Sequence, residues 1–262
     1  MTRTEQIRQL NRQLLAEMPQ YRAQAAQFPA EEAAQRRLLR SLMNVRPPMP
    51  LTPEFLTLQD ALLRAEAAGK GIVSLAELTP TRVPNLYLWQ GDITRLAVDA
   101  IVNAANAALL GCFIPCHGCI DNAIHSAAGL QLRNECRQIM AAQGHEEPNG
   151  QAKLTGAYNL PASHILHTVG PVVRQGVTER DRRELKSCYE ACLRLAAAHH
   201  LHSVAFCCIS TGEFHFPNQE AAEIAVSAVR AYLSGDKKGM QVVFNVFKDA
   251  DRDIYRKLLG VG

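Results

Sequence analysis

The chain has 262 residues, 47% apolar and 20% charged, a globular composition long enough to bury a core without disulfide staples. Its 28 Lys and Arg against 25 Asp and Glu leave a formal charge of +3, and no half is basic enough for general nucleic-acid binding. No apolar run reaches the roughly 18 residues of a membrane span, and the opening MTRTEQIRQLNRQLL lacks the apolar stretch of a secretory leader.

Residues 1–80 are rich in Gln, Arg, Ala and Leu and poor in strand formers. Leu10, Leu14 and Leu15, and then Leu38, Leu39 and Leu42, recur at amphipathic helical spacing. Pro19 and Pro29 interrupt the pattern, and Arg46-Pro47-Pro48-Met49-Pro50 reads as a connector. Thr52-Pro53 opens a further helix as N-cap and first-turn proline, and Gly69 is expected to close it. This segment reads as a helical extension of three or four short helices with no chemistry of its own.

From about residue 84 the period changes. Strands are expected at Leu86–Gln90, Asp99–Asn103, 152–159, 164–169, Ser203–Ile209 and Gln241–Phe247. Helices are expected at about Asp121–Ala142, 180–200, Pro217–Leu233 and Asp249–Leu259. Strands alternating with helices imply a mainly parallel sheet covered on both faces. Ligands in such folds bind beyond the carboxyl ends of the strands, which brings Gly91–Thr94, Asn103–Asp121 and Ser210–Pro217 together as candidate loops.

The richest loop holds Cys112, Cys116, His117, Cys119 and His125 within 14 residues, where about one Cys or His is expected from the overall content. Thiolate and imidazole suit a borderline-soft ion such as Zn²⁺, and glycine and proline between them let the loop fold back on one ion. A closed structural site needs a fourth ligand, Cys116 or His125; Cys112, His117 and Cys119 with an open position fit a catalytic site. Of the other thiols, Cys188, Cys192, Cys207 and Cys208 lie in apolar surroundings and read as free and reduced, which points to the cytoplasm.

Asp92 sits at a strand-to-loop turn, where it either accepts from an amino group such as that of adenine or caps the turn. Asn103 and Asn106 place two amides at a strand end, for ribose hydroxyls or for loop backbone. The Ser210–Pro217 loop precedes a helix, so its backbone donors suit a diphosphate, and Phe214 suits stacking.

In this order and spacing, Gly91-Asp92-Ile93-Thr94, Asn103-Ala-Ala-Asn106, His167-Thr168-Val169-Gly170-Pro171 and Ser210–Pro217 resemble the macrodomain family of ADP-ribose binders, over about Leu88 to Asp251. Ordinary members carry a glycine-rich loop followed by Val-Asp-x-Ala-Ile-His. This chain keeps Asp121 and Ile124-His125 but replaces the glycines with Cys112 to Cys119, which is similar to the zinc-dependent branch of microbial macrodomains. The resemblance implies a three-layer α/β/α sandwich with a mixed, mainly parallel sheet over residues 81–262, behind a helical extension over 1–80. It implies a protein-ADP-ribose hydrolase that removes mono-ADP-ribose from modified side chains, often linked to a sirtuin-type ADP-ribosyltransferase and a lipoylated carrier protein. It also implies residue roles. Cys112, His117 and Cys119 would hold Zn²⁺, with Cys116 outside the set. Asp92 would bind the adenine amino group beside the Ile93 backbone. Asn106 would face the distal ribose, and Ile120 and Asp121 would also contact ADP-ribose. Ser210, Thr211, Gly212, Glu213 and Phe214 would surround the diphosphate, although Glu213 replaces a residue that is usually aliphatic. Asp121 and Asn122 would join Asn106 as the catalytic group, orienting water or ribose.

Three other readings use the same residues. One is a non-catalytic ADP-ribose reader with a structural zinc, and another is an O-acetyl-ADP-ribose deacetylase. The third is a redox sensor that forms disulfides among Cys112, Cys116 and Cys119.

Overall fold

A computed structural model describes residues 1–235 and 239–261. The N-terminal part folds as α1 (Arg3–Glu17), α2 (Arg22–Ala25), α3 (Glu32–Val45) and α4 (Pro53–Lys70). Thr52 caps α4 by accepting from the Phe55 amide, with Pro53 in the first turn as expected. The helix runs past Gly69 and ends at Gly71, whose φ of +81° is open to glycine. Two-residue strands β1 (Val73–Ser74) and β3 (Leu96–Ala97) pair with each other on either side of β2 (Leu86–Gln90) in sequence. They are too short to leave a periodic signal.

The body continues as β4 (Ala100–Ala104), α5 (Ile120–Ala128), α6 (Leu130–Gln143), β5 (Ala152–Gly156), β6 (His164–Thr168), α7 (Glu179–Ala198), β7 (Ser203–Phe206), α8 (Asn218–Leu233), β8 (Gln241–Val246) and α9 (Asp249–Leu259). The main sheet has the order β2-β8-β7-β4-β6-β5, parallel except for β5, which runs antiparallel to β6. Helices flank it: α5 packs on β4 and α6 on β5, while α7, α8 and α9 pack in succession and reach β5, β6, β2 and β8. This is the mixed, mainly parallel sandwich that the resemblance implies.

The long helix expected over Asp121–Ala142 is in fact two. Gly129 adopts φ +102°, ending α5 and starting α6, and a Cβ there would come within 2.6–3.0 Å of Gln131, Gln59 and Asn159. The strand expected over 152–159 stops at Gly156, because Tyr158 turns at φ +56°.

The extension has its own apolar cluster, built on Ile7, Leu10, Leu14, Leu39, Leu42, Phe55 and Leu62, and Leu130 of α6 is part of it. Helices α3 and α4 both pack on α5, so the extension is seated against the helix that leaves the cysteine loop. Among the described residues, no helix is long and apolar enough to cross a membrane.

Candidate active site

The parallel sheet sends the loops after β2, β4 and β7 to one edge. The loop after β4 has little regular structure of its own. Gly111 turns at φ +79° with its α-carbon close against the His125 ring, and Leu109 and Cys116 also take positive φ. This folding brings one ligand atom each from Cys112, His117 and Cys119 to within 4.8 Å of one another. The Nδ1 of His117 is buried and has no hydrogen-bond partner. Two thiols and an imidazole gathered in this way fit a zinc ion in donor type and number. Cys119 also caps α5, accepting from the Asn122 amide at 3.4 Å. Burial pushes its thiol up to about 12, with the neighbouring Cys112 and Asp121 adding to the effect.

Cys116 lies apart from this group, with its Sγ 3.3 Å from Ser41 Oγ of α3. His125 lies on the buried face of α5. Burial, then the adjacent His167 and Arg133, holds it well below the usual histidine range. It belongs to a second buried group with Cys136 and His167, whose ligand atoms are also within 4.8 Å of one another. Both nitrogens of His167 already have polar neighbours: Nδ1 is 3.1 Å from Asn103 and Nε2 is 2.9 Å from Thr155 Oγ1.

Asp121, in the first turn of α5, is buried beside the donor loop. Its Oδ1 accepts from Asn103 Nδ2 at 2.8 Å, and its Oδ2 accepts from Asn106 Nδ2 at 3.3 Å. Burial raises its pKa to about 6, against the lowering effect of Asn103 and of Arg133. Asn106 also reaches the Gly111 carbonyl and caps Ala108. Asn122 is fully buried and its amide serves the loop: Nδ2 donates to Ile114 O at 2.9 Å, and Oδ1 accepts from Arg40 and Ser126.

In the loop after β7, Ser210 is buried at φ +64° with an unpartnered Oγ, and His215 turns at φ +57°. Strained non-glycine residues of this kind gather where a surrounding structure holds a site in shape. Thr211 Oγ1 donates to Cys208 O, and Phe214 O accepts from Val173 N. Glu213 is 67% exposed and its carboxylate lies 3.7 Å from His117 Nε2, so it points to the donor loop. After β2, Asp92 Oδ1 accepts from the Thr94 amide and hydroxyl, while Oδ2 meets Lys70 at 3.3 Å. Asp92 thus caps its turn, and burial is outweighed by these partners to hold its carboxyl below the usual range. Ile93 is buried as a whole residue, while Ile120 is half-buried.

Sequence reasoning missed Arg40, Asn44 and Arg133, which join the cysteine loop to the extension. On isolated helices they read as ordinary polar positions, and their partners lie about 70 to 90 residues away.

The chain matches the Macro domain family over residues 102–225. A protein-ADP-ribose hydrolase of Treponema medium is 50% identical, over 99% of this chain and 100% of the relative. A Fusarium oxysporum protein named probable bifunctional ADP-ribose hydrolase/ADP-ribosyltransferase is 43% identical over 88% of this chain and 42% of its own. The crystal structure of a Trypanosoma brucei macrodomain in complex with ADP-ribose superimposes with a TM-score of 0.66 at 30% identity, covering 84% of this chain and 95% of that one.

Proposed function

This chain belongs to the macrodomain family, and from that premise we propose that it is a zinc-dependent hydrolase that removes mono-ADP-ribose from protein side chains. The coarser part, an enzyme of the protein-ADP-ribose hydrolase kind, rests on half identity over the full length of a relative so named. The zinc part is carried by one observation: Cys112, His117 and Cys119 converge beside Asn106 and Asp121.

The bond to be cleaved joins the anomeric carbon of the distal ribose to a protein side chain, and positive charge develops on the sugar as it breaks. Asp92 and the Ile93 backbone receive the adenine end. The 210–214 backbone, at the N-terminal end of α8, receives the diphosphate, with Phe214 against it. Asn106 holds the distal ribose. Asp121, fixed by Asn103 and Asn106, orients the water or ribose hydroxyl and accepts its proton at a carboxylate oxygen. Cys112, His117 and Cys119 would hold a zinc ion, which would supply Lewis acidity and an anchor for the sugar. Two thiolates and a neutral imidazole leave that site with about zero formal charge, which favours anchoring over strong acidity. Asn122 acts by holding the donor loop, and Glu213 faces His117 rather than the diphosphate.

The substrate we propose is a cytoplasmic protein modified by a sirtuin-type ADP-ribosyltransferase, with a lipoylated carrier protein as the candidate. Support for the transferase link comes from the Fusarium relative, whose name joins the two activities. The test is ADP-ribose release from a mono-ADP-ribosylated protein before and after strong chelation. Release that vanishes on chelation and returns with Zn²⁺ supports the reading. Zinc binding without release from any linkage type would leave a reader, and release insensitive to chelation would remove the metal from the mechanism.

A further inference from the structure

Among the described residues, the stretch from Gly111 to Cys119 makes one backbone hydrogen bond within itself, His117 N to Ile114 O at 3.2 Å. What holds it comes largely from α3. Arg40 directs Nε and Nη2 to Asn122 Oδ1, at 3.2 and 2.7 Å, and Nη2 also donates to His117 O at 3.2 Å. One turn on, Asn44 accepts the Cys116 N–H at Oδ1, 2.9 Å, and donates to Ser126 Oγ at 3.0 Å. Cys116, like Leu109 earlier in the loop, is strained, at φ +52°, a conformation that persists in a non-glycine residue only where its neighbours impose it. The guanidinium therefore grips the loop at the backbone of His117, and the amide grips it at the left-handed Cys116.

We propose that Arg40 and Asn44 are positioning residues that hold Cys112, His117 and Cys119 in their ligating arrangement, so that the helical extension is part of the active centre. The metal consequence rests on the zinc reading above; the effect on loop order does not. Charge alone gives the opposite sign. Removing a cation near a cation site would by itself tighten metal binding, so weaker binding in an Arg40 variant reports lost position. Lysine keeps the charge but lacks the planar fork that serves Asn122 and His117 together.

The experiment uses the full chain with Arg40→Ala, Arg40→Lys and Asn44→Ala. Arg8→Ala, whose side chain bonds Ala30 O elsewhere in the extension, serves as the control. Amide hydrogen exchange over residues 112–122 is measured in metal-free protein, and zinc affinity by competition with a chromophoric chelator. Faster exchange confined to that loop is expected for the three variants and not for Arg8→Ala. Zinc affinity should fall about 10- to 100-fold in Arg40→Ala and Arg40→Lys alike, the effect of losing a group that orients a ligand. Unchanged exchange in the three variants overturns the proposal, as does zinc binding within about twofold of wild type where wild type binds zinc. Full recovery in Arg40→Lys would show that the two-pronged grip on Asn122 and His117 is not needed, and would overturn the proposal too. Wild-type protein that binds no zinc refutes the metal reading separately, and the exchange result then decides the brace on its own. Arg40 is only partly buried, so Arg40→Lys keeps the test open should Asn44→Ala fail to fold.

Discussion

Arg133→Met is a demanding test of how the extension is tied to the body. Arg133 is 3% exposed and sits on α6, yet its guanidinium reaches four carbonyls from two other segments, with one N–H on Nε and two on Nη1 shared among them. The carbonyls are Leu110 O at 2.7 Å, Met43 O at 3.0 Å, Asn44 O at 2.9 Å and Arg46 O at 2.6 Å. Three of them are at the C-terminal end of α3, where carbonyls have no partner within the helix and a cation is favoured. Burial lowers the Arg133 pKa from 12.5 to about 10, so desolvation works against the charged form. Hydrogen bonds from a charged donor contribute about 1.5–3 kcal/mol each, so the three N–H groups give about 4.5–9 kcal/mol before that cost. Removing the donor leaves the carbonyls unpaired at about 1 kcal/mol each at the lower end, or about 3 kcal/mol for the three N–H groups lost. Methionine fills similar space against Phe113, whose ring lies 4.3 Å from the guanidinium carbon, so the loss comes mainly from the orphaned carbonyls. Urea unfolding at pH 7 should show Arg133→Met less stable by about 3 kcal/mol, with Arg133→Lys between the two. A loss below about 1 kcal/mol would refute the reasoning, because it would mean that the four carbonyls find water or other donors without cost.

Asp121→Ala should retain zinc and lose turnover by about 100-fold or more; metal content and single-turnover release check both, and unchanged kcat removes Asp121 from the mechanism. Cys116→Gly relieves a positive φ and should bind zinc as wild type does, with stability changed by no more than about 1 kcal/mol; loss of zinc would put Cys116 in the donor set. Burial pushes His167 down to about 3, so from about pH 6.5 downward the unfolded chain binds a proton that the folded chain refuses. The stability from keeping His167 neutral is therefore complete above that pH and falls by about 1.4 kcal/mol per unit below it. Urea titrations of wild type and His167→Gln from pH 7 to pH 5 should converge as pH falls. Asp121 titrates in both proteins and drops out of the difference, and a constant gap would contradict the assignment.

What the sequence revealed was local. The apolar stripe of α7, with Leu185, Cys188, Tyr189, Cys192, Leu193 and Ala196, is buried as its spacing requires. Cys112, His117 and Cys119 were legible because a short loop carries all three, and composition marks such a loop without any knowledge of its neighbours. The break at Gly129 was less visible, since a glycine within a long helical pattern is tolerated and the strain that demands it comes from Gln59 and Asn159 in other segments. The brace was hidden for the same reason. Nothing near Arg40 in the chain says that it meets His117, 77 residues away. Asp92 was an ambiguous case, because a carboxylate that caps its own turn and one that meets a ligand have the same local sequence.

The support of Asp121 differs in kind from that of the donor loop. Asn103 of β4 lies opposite His167 of β6 in the sheet register, so their meeting is fixed by strand pairing. Asn103 Nδ2 is 2.8 Å from Asp121 Oδ1 and 3.1 Å from His167 Nδ1, and one amide nitrogen has a proton for each. His167 Nδ1 must then be an acceptor, which puts the ring proton on Nε2, where it donates to Thr155 Oγ1 at 2.9 Å. Turning the Asn103 amide over would set its oxygen against the Asp121 carboxylate, so the chain of bonds runs one way. A neutral His167 is what burial requires as well. The carboxylate is thus anchored through the sheet to β6 and β5, while the thiol and imidazole donors hang on a loop held from α3. Apart from Asn106, which bonds both Asp121 Oδ2 and Gly111 O, the two supports use different residues and should fail largely independently. Asp121→Ala should then change turnover while leaving metal affinity alone, and Arg40→Lys should change metal affinity while leaving the Asn103–His167 contact intact. A large energetic coupling between those two substitutions in zinc affinity would mean that the carboxylate and the loop move as one unit.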